Sequence, residues 1–308
     1  MLRYRLITGP LLILVIVLVV WLDSVMERVQ LTRPWGLDAA DAAGLGDGTV
    51  PKGLVIFCLA LLVVPVMAHE TSRMLGSVGV ASSRRLAMVA ATVTYIVTAL
   101  LPYFHSAKVA TAVACTLALF LVVAGLLRFS RGHNVHGVMA AIGGLLLVAV
   151  YAGVLITFWL LIRHDHSPWI LVGAILTTKS CDIGAYFTGR AIGRHKLIEW
   201  LSPKKTWEGL AGGVVTAALV GTALALLSAR LEHPVDHLPW WVGALGGVLV
   251  GIVGQFGDLA ESMFKRDAGM KDSGTILPGM GGVLDVLDSP LMTGPVVYWL
   301  LACTAAAS

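Results

Sequence analysis

The sequence predicts an all-α, polytopic integral membrane protein with about nine transmembrane helices. Three observations carry this reading. The 308 residues are 57% hydrophobic and only 13% charged, about half the charge of a soluble domain. The mean hydropathy is +0.85. Nine apolar stretches approach or reach the roughly 20 residues that a helix needs to cross a bilayer.

Taken in order, the first stretch is 6–22, behind Arg3 and Arg5. The run ends in VVWLDSVMER with no small-x-small cleavage site, so it is expected to stay attached rather than leave as a signal peptide. The second, 54–68, holds Pro65, which predicts a kink. With the third, 86–101, it is short and extends into its flanks. The fourth and fifth are 107–127 and 138–162; then follow 169–187, 210–228, 240–257 and 290–306. These divide into N-terminal helices, 1–165, and a C-terminal region, 166–308, that carries the motifs described below. The connection 37–53 reads as a flexible acidic linker. His133 and His136 sit three apart and, like His164, His166, His233 and His237, read as solvated loop residues. Cys58, Cys115, Cys181 and Cys303 lack metal-ligand spacing and read as small core residues.

Net charge is +4, and its placement matters more than its size. With the N-terminus in the cytoplasm, cytoplasmic segments hold 16 Lys and Arg and the opposite segments hold 6. That bias predicts a cytoplasmic N-terminus and an external C-terminus. It places two polar, glycine-bearing loops, 179–209 and 258–289, on the cytoplasmic face.

The first of these loops carries Asp182 at a helix end, where an ionisable group is costly without a purpose or a partner. Arg190, Arg194 and Lys196 follow among glycines, then Ser202, Pro203, Lys204, Lys205, Thr206 and Gly209. Adjacent lysines beside Ser/Thr at a helix start suit a triphosphate, because free N–H groups and the helix dipole favour anions. Ser202-Pro203 also reads as an ordinary helix start, and the cations as positive-inside anchors.

In the second loop, Asp258, Glu261, Ser262 and Lys265 share a face if the helix continues. The glycines and Pro278 of AGMKDSGTILPGMGG forbid a long helix there. Asp285 and Asp288 follow, with Ser289-Pro290 as the expected N-cap and first turn of the last helix. Asp258 and Asp285 can converge on hard cations such as Mg²⁺, which takes few carboxylates and keeps water and phosphate ligands. Asp288 reads equally well as a helix cap.

These residues resemble the phosphatidate cytidylyltransferases, or CDP-diacylglycerol synthases. The family's closing signature is matched at Ser262, Lys265, Arg266, Lys271, Asp272, Pro278, Gly279, Gly281, Gly282, Asp285, Asp288 and Ser289. Its upstream pattern is matched from Asp182 to Gly193 and from Ser202 to Gly209. The match covers about the last 130 residues. Two positions depart: the family's His is Met280 and an Arg is Val286. Neither replacement can donate to a phosphate. A paralogue with an altered lipid substrate, slower chemistry or no activity follows, or else Arg190, Arg194 or Arg266 substitutes in space.

The resemblance implies that a phosphatidate oxygen attacks the α-phosphorus of CTP and that pyrophosphate leaves, with two divalent or mixed metal ions, Mg²⁺ among them. It implies Asp258 and Asp285 as metal ligands, with Asp182 and Asp288 as further candidates. Lys204 and Lys205 would hold CTP phosphates, together with Ser202, Thr206 and Arg190. Lys265, Arg266 and Lys271 would receive the lipid phosphate or the pyrophosphate. It further implies a bacterial-type inner membrane, a site facing the cytoplasm, a homodimer, and no nucleic-acid partner. A transporter is the rival from another class; it is disfavoured because the charges gather at one membrane face and no inverted repeat is visible.

Overall fold

The computed structural model describes residues 2–28, 50–104, 106–130, 136–231 and 236–307. Most of the acidic connection, His133 and His233 lie outside the described residues. The helices are α1 (Leu2–Glu27), α2 (Leu54–Ser77), α3 (Arg84–Leu100), α4 (Ala107–Ser130) and α5 (Val138–Asp165). After them come α6 (Pro168–Ile192), α7 (Trp207–Ser228), α8 (Trp240–Asp267) and α9 (Leu284–Ala307). Among the described residues, nine helices are long and apolar enough to cross a membrane. The chain is a multi-pass membrane protein. α2 runs on through Pro65, and α5 contains a π-helical stretch at Ala149–Val154.

Apolar side chains face outward on many helices, among them Leu62, Phe120 and Leu219, as lipid-facing surfaces require. Three of the four cysteines, Cys58, Cys115 and Cys303, share that exposure, and only Cys181 is buried. The expectation of core cysteines is corrected on this point, because in a bilayer an apolar residue need not be inside. Helices α6, α7 and α8 pack through small residues: a methyl group on Gly221 would collide with Gly243, and one on Gly247 with Ala217. Small-residue seams let backbones approach where lipid removes the hydrophobic drive between helices.

Two helix starts differ from the sequence reading. Ser202–Thr206 is a strand, β2, paired antiparallel with β1 (Lys196–Ile198). Helix α7 begins at Trp207, capped by Thr206, whose Oγ1 accepts from Gly209 N at 3.1 Å. Glu208 closes this hairpin by accepting from Arg194 N (3.1 Å) and His195 N (3.2 Å). The last helix begins at Leu284 instead of at Ser289-Pro290, and Pro290 lies inside it. Asp285 and Asp288 therefore stand in its first two turns.

At the membrane end away from both polar loops, Arg163 is 1% exposed. Its Nε donates to Asp23 (2.5 Å), its Nη2 to Glu27 (2.6 Å) and its Nη1 to the His166 carbonyl (3.0 Å). Asp23 also accepts from Val55 N at 3.2 Å. This latch ties α1 to α2 and α5. His166 is not solvated as expected: it packs on the wholly buried Asp236 at 3.3 Å. Asp236 also accepts from Ser167 N at 3.2 Å. Burial raises the Asp236 pKa, but the His166 and Ser167 hydrogen bonds outweigh it and hold it below the ordinary value.

Candidate active site

Helix α8 continues past its apolar stretch to Asp267, so Asp258, Glu261 and Lys265 do share one face. Asp258, Glu261 and Asp288 bring one carboxylate oxygen each to within 4.8 Å of one another. The cluster forms because α8 and α9 pack tightly where Gly257 meets the Asp288 backbone. Three lysines surround it. Lys205 Nζ lies 2.6 Å from Asp258, and Lys179 Nζ lies 3.6 Å from Asp182 and 4.0 Å from Asp288. Lys265 pairs with Glu261 and, at 2.7 Å, with Asp285.

Asp285 is engaged differently from Asp258. Its Oδ1 accepts from Lys265 Nζ, and its Oδ2 from Ser273 N (2.8 Å), Ser273 Oγ (2.8 Å) and Gly282 N (2.7 Å). Asp182 accepts from Gln255 Nε2 at 2.9 Å, which joins α6 to α8.

A cavity of about 240 Å³ with charged groups in its otherwise largely apolar wall opens beside the cluster. Asp182, Lys204, Lys205, Thr206, Gln255 and Asp258 line it. Asp258 thus belongs to both the cavity and the carboxylate cluster. The hairpin presents the two lysines to this space: Lys204 is exposed, and Lys205 is half-buried. Ser202 opens the same strand. Arg190 is exposed and donates to the Tyr186 hydroxyl at 3.1 Å. Arg266 and Lys271 are exposed near the loop that follows α8, with Arg266 donating to the Met270 carbonyl. Met280 lies in a tight turn between Gly279 (φ 80°) and Gly281 (φ 100°), closed by the Leu277–Gly281 bridge. Among the described residues, lysines and not arginines make the cluster's ion pairs.

The donor set suits a hard divalent cation, which prefers oxygen ligands. The Glu261 side chain is wholly buried, and neither of its carboxylate oxygens makes a hydrogen bond. The Lys265 ammonium touches one of them as an ion pair without hydrogen-bond geometry. The other oxygen, Oε1, has no partner, and a buried carboxylate oxygen left so is costly and calls for positive charge. Glu261 was legible as a face-mate of Asp258 through its i+3 spacing, but not as a member of a ligand set. Lys179 was legible only as a charge. Nothing local marked Gln255.

The family model of the Cytidylyltransferase family matches residues 48–304. A phosphatidate cytidylyltransferase of Bacillus subtilis (strain 168) is 40% identical over 163 residues, 52% of this chain and 58% of that protein. The uncharacterized protein YnbB of Escherichia coli (strain K12) is 37% identical over 198 residues, 59% of this chain and 62% of its own length. A phosphatidate cytidylyltransferase of Synechocystis sp. is 48% identical over 124 residues, 40% of this chain and 39% of that protein. The chain thus spans less than two thirds of the length of these curated relatives.

Proposed function

Because the chain belongs to the cytidylyltransferase family, we propose that it transfers the cytidylyl group of CTP to phosphatidate in phospholipid biosynthesis. The products are CDP-diacylglycerol and pyrophosphate. A phosphate oxygen of the lipid forms a bond to the α-phosphorus, and the bond from that phosphorus to the pyrophosphate oxygen breaks. The observation that carries this reading is the juxtaposition of Asp258, Glu261 and Asp288 with a lysine-lined cavity at one membrane face.

In this reading Lys204 and Lys205 bind the CTP phosphates, and the cavity orients the triphosphate beside Asp258. Lys265, fixed between Glu261 and Asp285, offers its positive charge to the lipid phosphate or to the departing pyrophosphate, with Arg266 and Lys271 beside it. Catalysis here is placement and charge neutralisation, with no covalent intermediate on the protein. Asp258, Glu261 and Asp288 would hold a divalent cation such as Mg²⁺, with Asp182 close by and Asp285 organising the neighbouring loop. Such an ion supplies neutralisation of phosphate charge. The site is assigned to the cytoplasmic face of a bacterial-type inner membrane, where CTP is available, and the assembly to a homodimer.

The test uses purified protein in mixed micelles with phosphatidate, Mg²⁺ and each of CTP, UTP, ATP and GTP. CDP-diacylglycerol and pyrophosphate are expected in equal amounts, with CTP preferred. Absence of a nucleotide-linked lipid with every nucleotide overturns the reading.

A further inference from the structure

The loop joining α8 to α9 is held from the other half of the chain. On α2, Glu70, Arg73 and Ser77 stand at i, i+3 and i+7 and so share one face. Glu70 is 2% exposed. Its Oε1 accepts from Val283 N at 3.1 Å, and its Oε2 from Leu284 N at 2.9 Å. Arg73 donates to the Ser273 carbonyl, and Ser77 Oγ donates to the Ala268 carbonyl at 3.2 Å. From α1, Thr8 Oγ1 donates to the Pro278 carbonyl at 2.9 Å.

The amides of Val283 and Leu284 lie at the start of α9, where N–H groups have no acceptor within the helix. Glu70 therefore caps α9 from a different helix, and its charge faces the positive end of the α9 dipole. The hydroxyl of the wholly buried Ser273 lies between Glu70 (3.2 Å) and Asp285 (2.8 Å). Its one proton serves one carboxylate at a time, and the shorter contact is to Asp285. Gly274 and Gly282 press on the Glu70 carboxylate with no room for a Cβ.

We propose that Glu70 is a positioning residue for the transfer reaction: by capping α9 from α2 it fixes Ser273 and the α9 start, and through them the Asp285–Lys265 pair. This rests on the cytidylyltransferase reading of the site. Glu70 acts through Ser273 and Asp285, not on the substrate.

Glu70→Gln keeps the shape and replaces one acceptor with a donor that must face an N–H group. It is expected to lower kcat by roughly tenfold to a hundredfold, the range for residues that orient a site's ligands. The KM for CTP should stay within about twofold, since the nucleotide cavity makes no contact with Glu70. Hydrogen–deuterium exchange of the full-length protein supplies a readout independent of activity. Exchange across 273–284 should accelerate roughly tenfold, while that of the β1–β2 hairpin stays unchanged. Glu70→Asp, which keeps the charge but draws it back from the Val283 and Leu284 amides, is the second variant and should reproduce both effects if Glu70→Gln fails to fold.

A normal kcat overturns the proposal. So does a fall in kcat without faster exchange at 273–284, which would mark a direct chemical role. Wild-type protein that makes no nucleotide-linked lipid overturns the transferase reading. In that event faster exchange in Glu70→Gln still supports the clamp, and unchanged exchange overturns it.

Discussion

Three lysines divide the carboxylates of the site among them, and that pairing sets what a substitution does. Asp288 meets Lys179, Asp258 meets Lys205, and Glu261 shares Lys265 with Asp285. Asp288→Asn removes one charge from the three-carboxylate cluster. CDP-diacylglycerol formation should fall by about 100-fold, and the Mg²⁺ concentration for half-activation should rise. An unchanged Mg²⁺ titration would remove Asp288 from the ligand set. Lys205→Met should raise the KM for CTP roughly tenfold, the loss of one charge-assisted contact, with a smaller effect on lipid concentration dependence. Asp258, Lys265, Asp285 and Asp288 were legible in the sequence because charge at the end of an apolar segment stands out. Glu70 also follows an apolar segment, but it reads there as one more loop-end charge, with no local sign of a partner 203 residues away.

The helices themselves were legible, although α2 runs on to Ser77 beyond its apolar stretch 54–68 and α8 to Asp267 beyond 240–257. The start of α9 was not, since Ser289-Pro290 is a strong local signal and the true cap comes from α2. The hairpin was missed for a related reason: strands of three and five residues carry no periodic pattern. Helix α1 depends on its latch. Arg163→Met leaves Asp23 buried without its partner, which should destabilise the fold by about 3–5 kcal/mol, read as a lower thermal midpoint in detergent. The start of α6 should respond to acid. Asp236 has a folded pKa below the ordinary carboxylate value, so its contribution is present above that ordinary value and is lost as pH falls through the folded pKa. Asp236→Asn should flatten this acid limb of the stability profile, measured by thermal unfolding between about pH 5 and 3. A limb as steep as in wild type would assign it to other groups.

For the whole molecule, the nine helices among the described residues that are long enough to cross a membrane gather hairpin, cluster and α8–α9 loop at one end. The 16-to-6 bias of Lys and Arg predicts that this face is the cytoplasmic one. The exposed hairpin residue Trp200 offers a direct check. In protein lacking Cys58, Cys115, Cys181 and Cys303, Trp200→Cys should react with an impermeant maleimide in inside-out vesicles and not in intact spheroplasts. The reverse pattern would invert the topology. Composition made the membrane class legible, while the joining of distant segments at the site depends on contacts that no local pattern encodes. The reach of Glu70 to the start of α9 has a consequence in time. Ribosomes add roughly 5–20 residues per second, so α2 is made roughly 10–40 s before Ser273 exists. Throughout that interval the nascent chain carries an acid at the end of α2 with none of its eventual partners. Biogenesis of this protein therefore includes a waiting period, in which α9 gains its cap only after its own start has been made and brought back to α2.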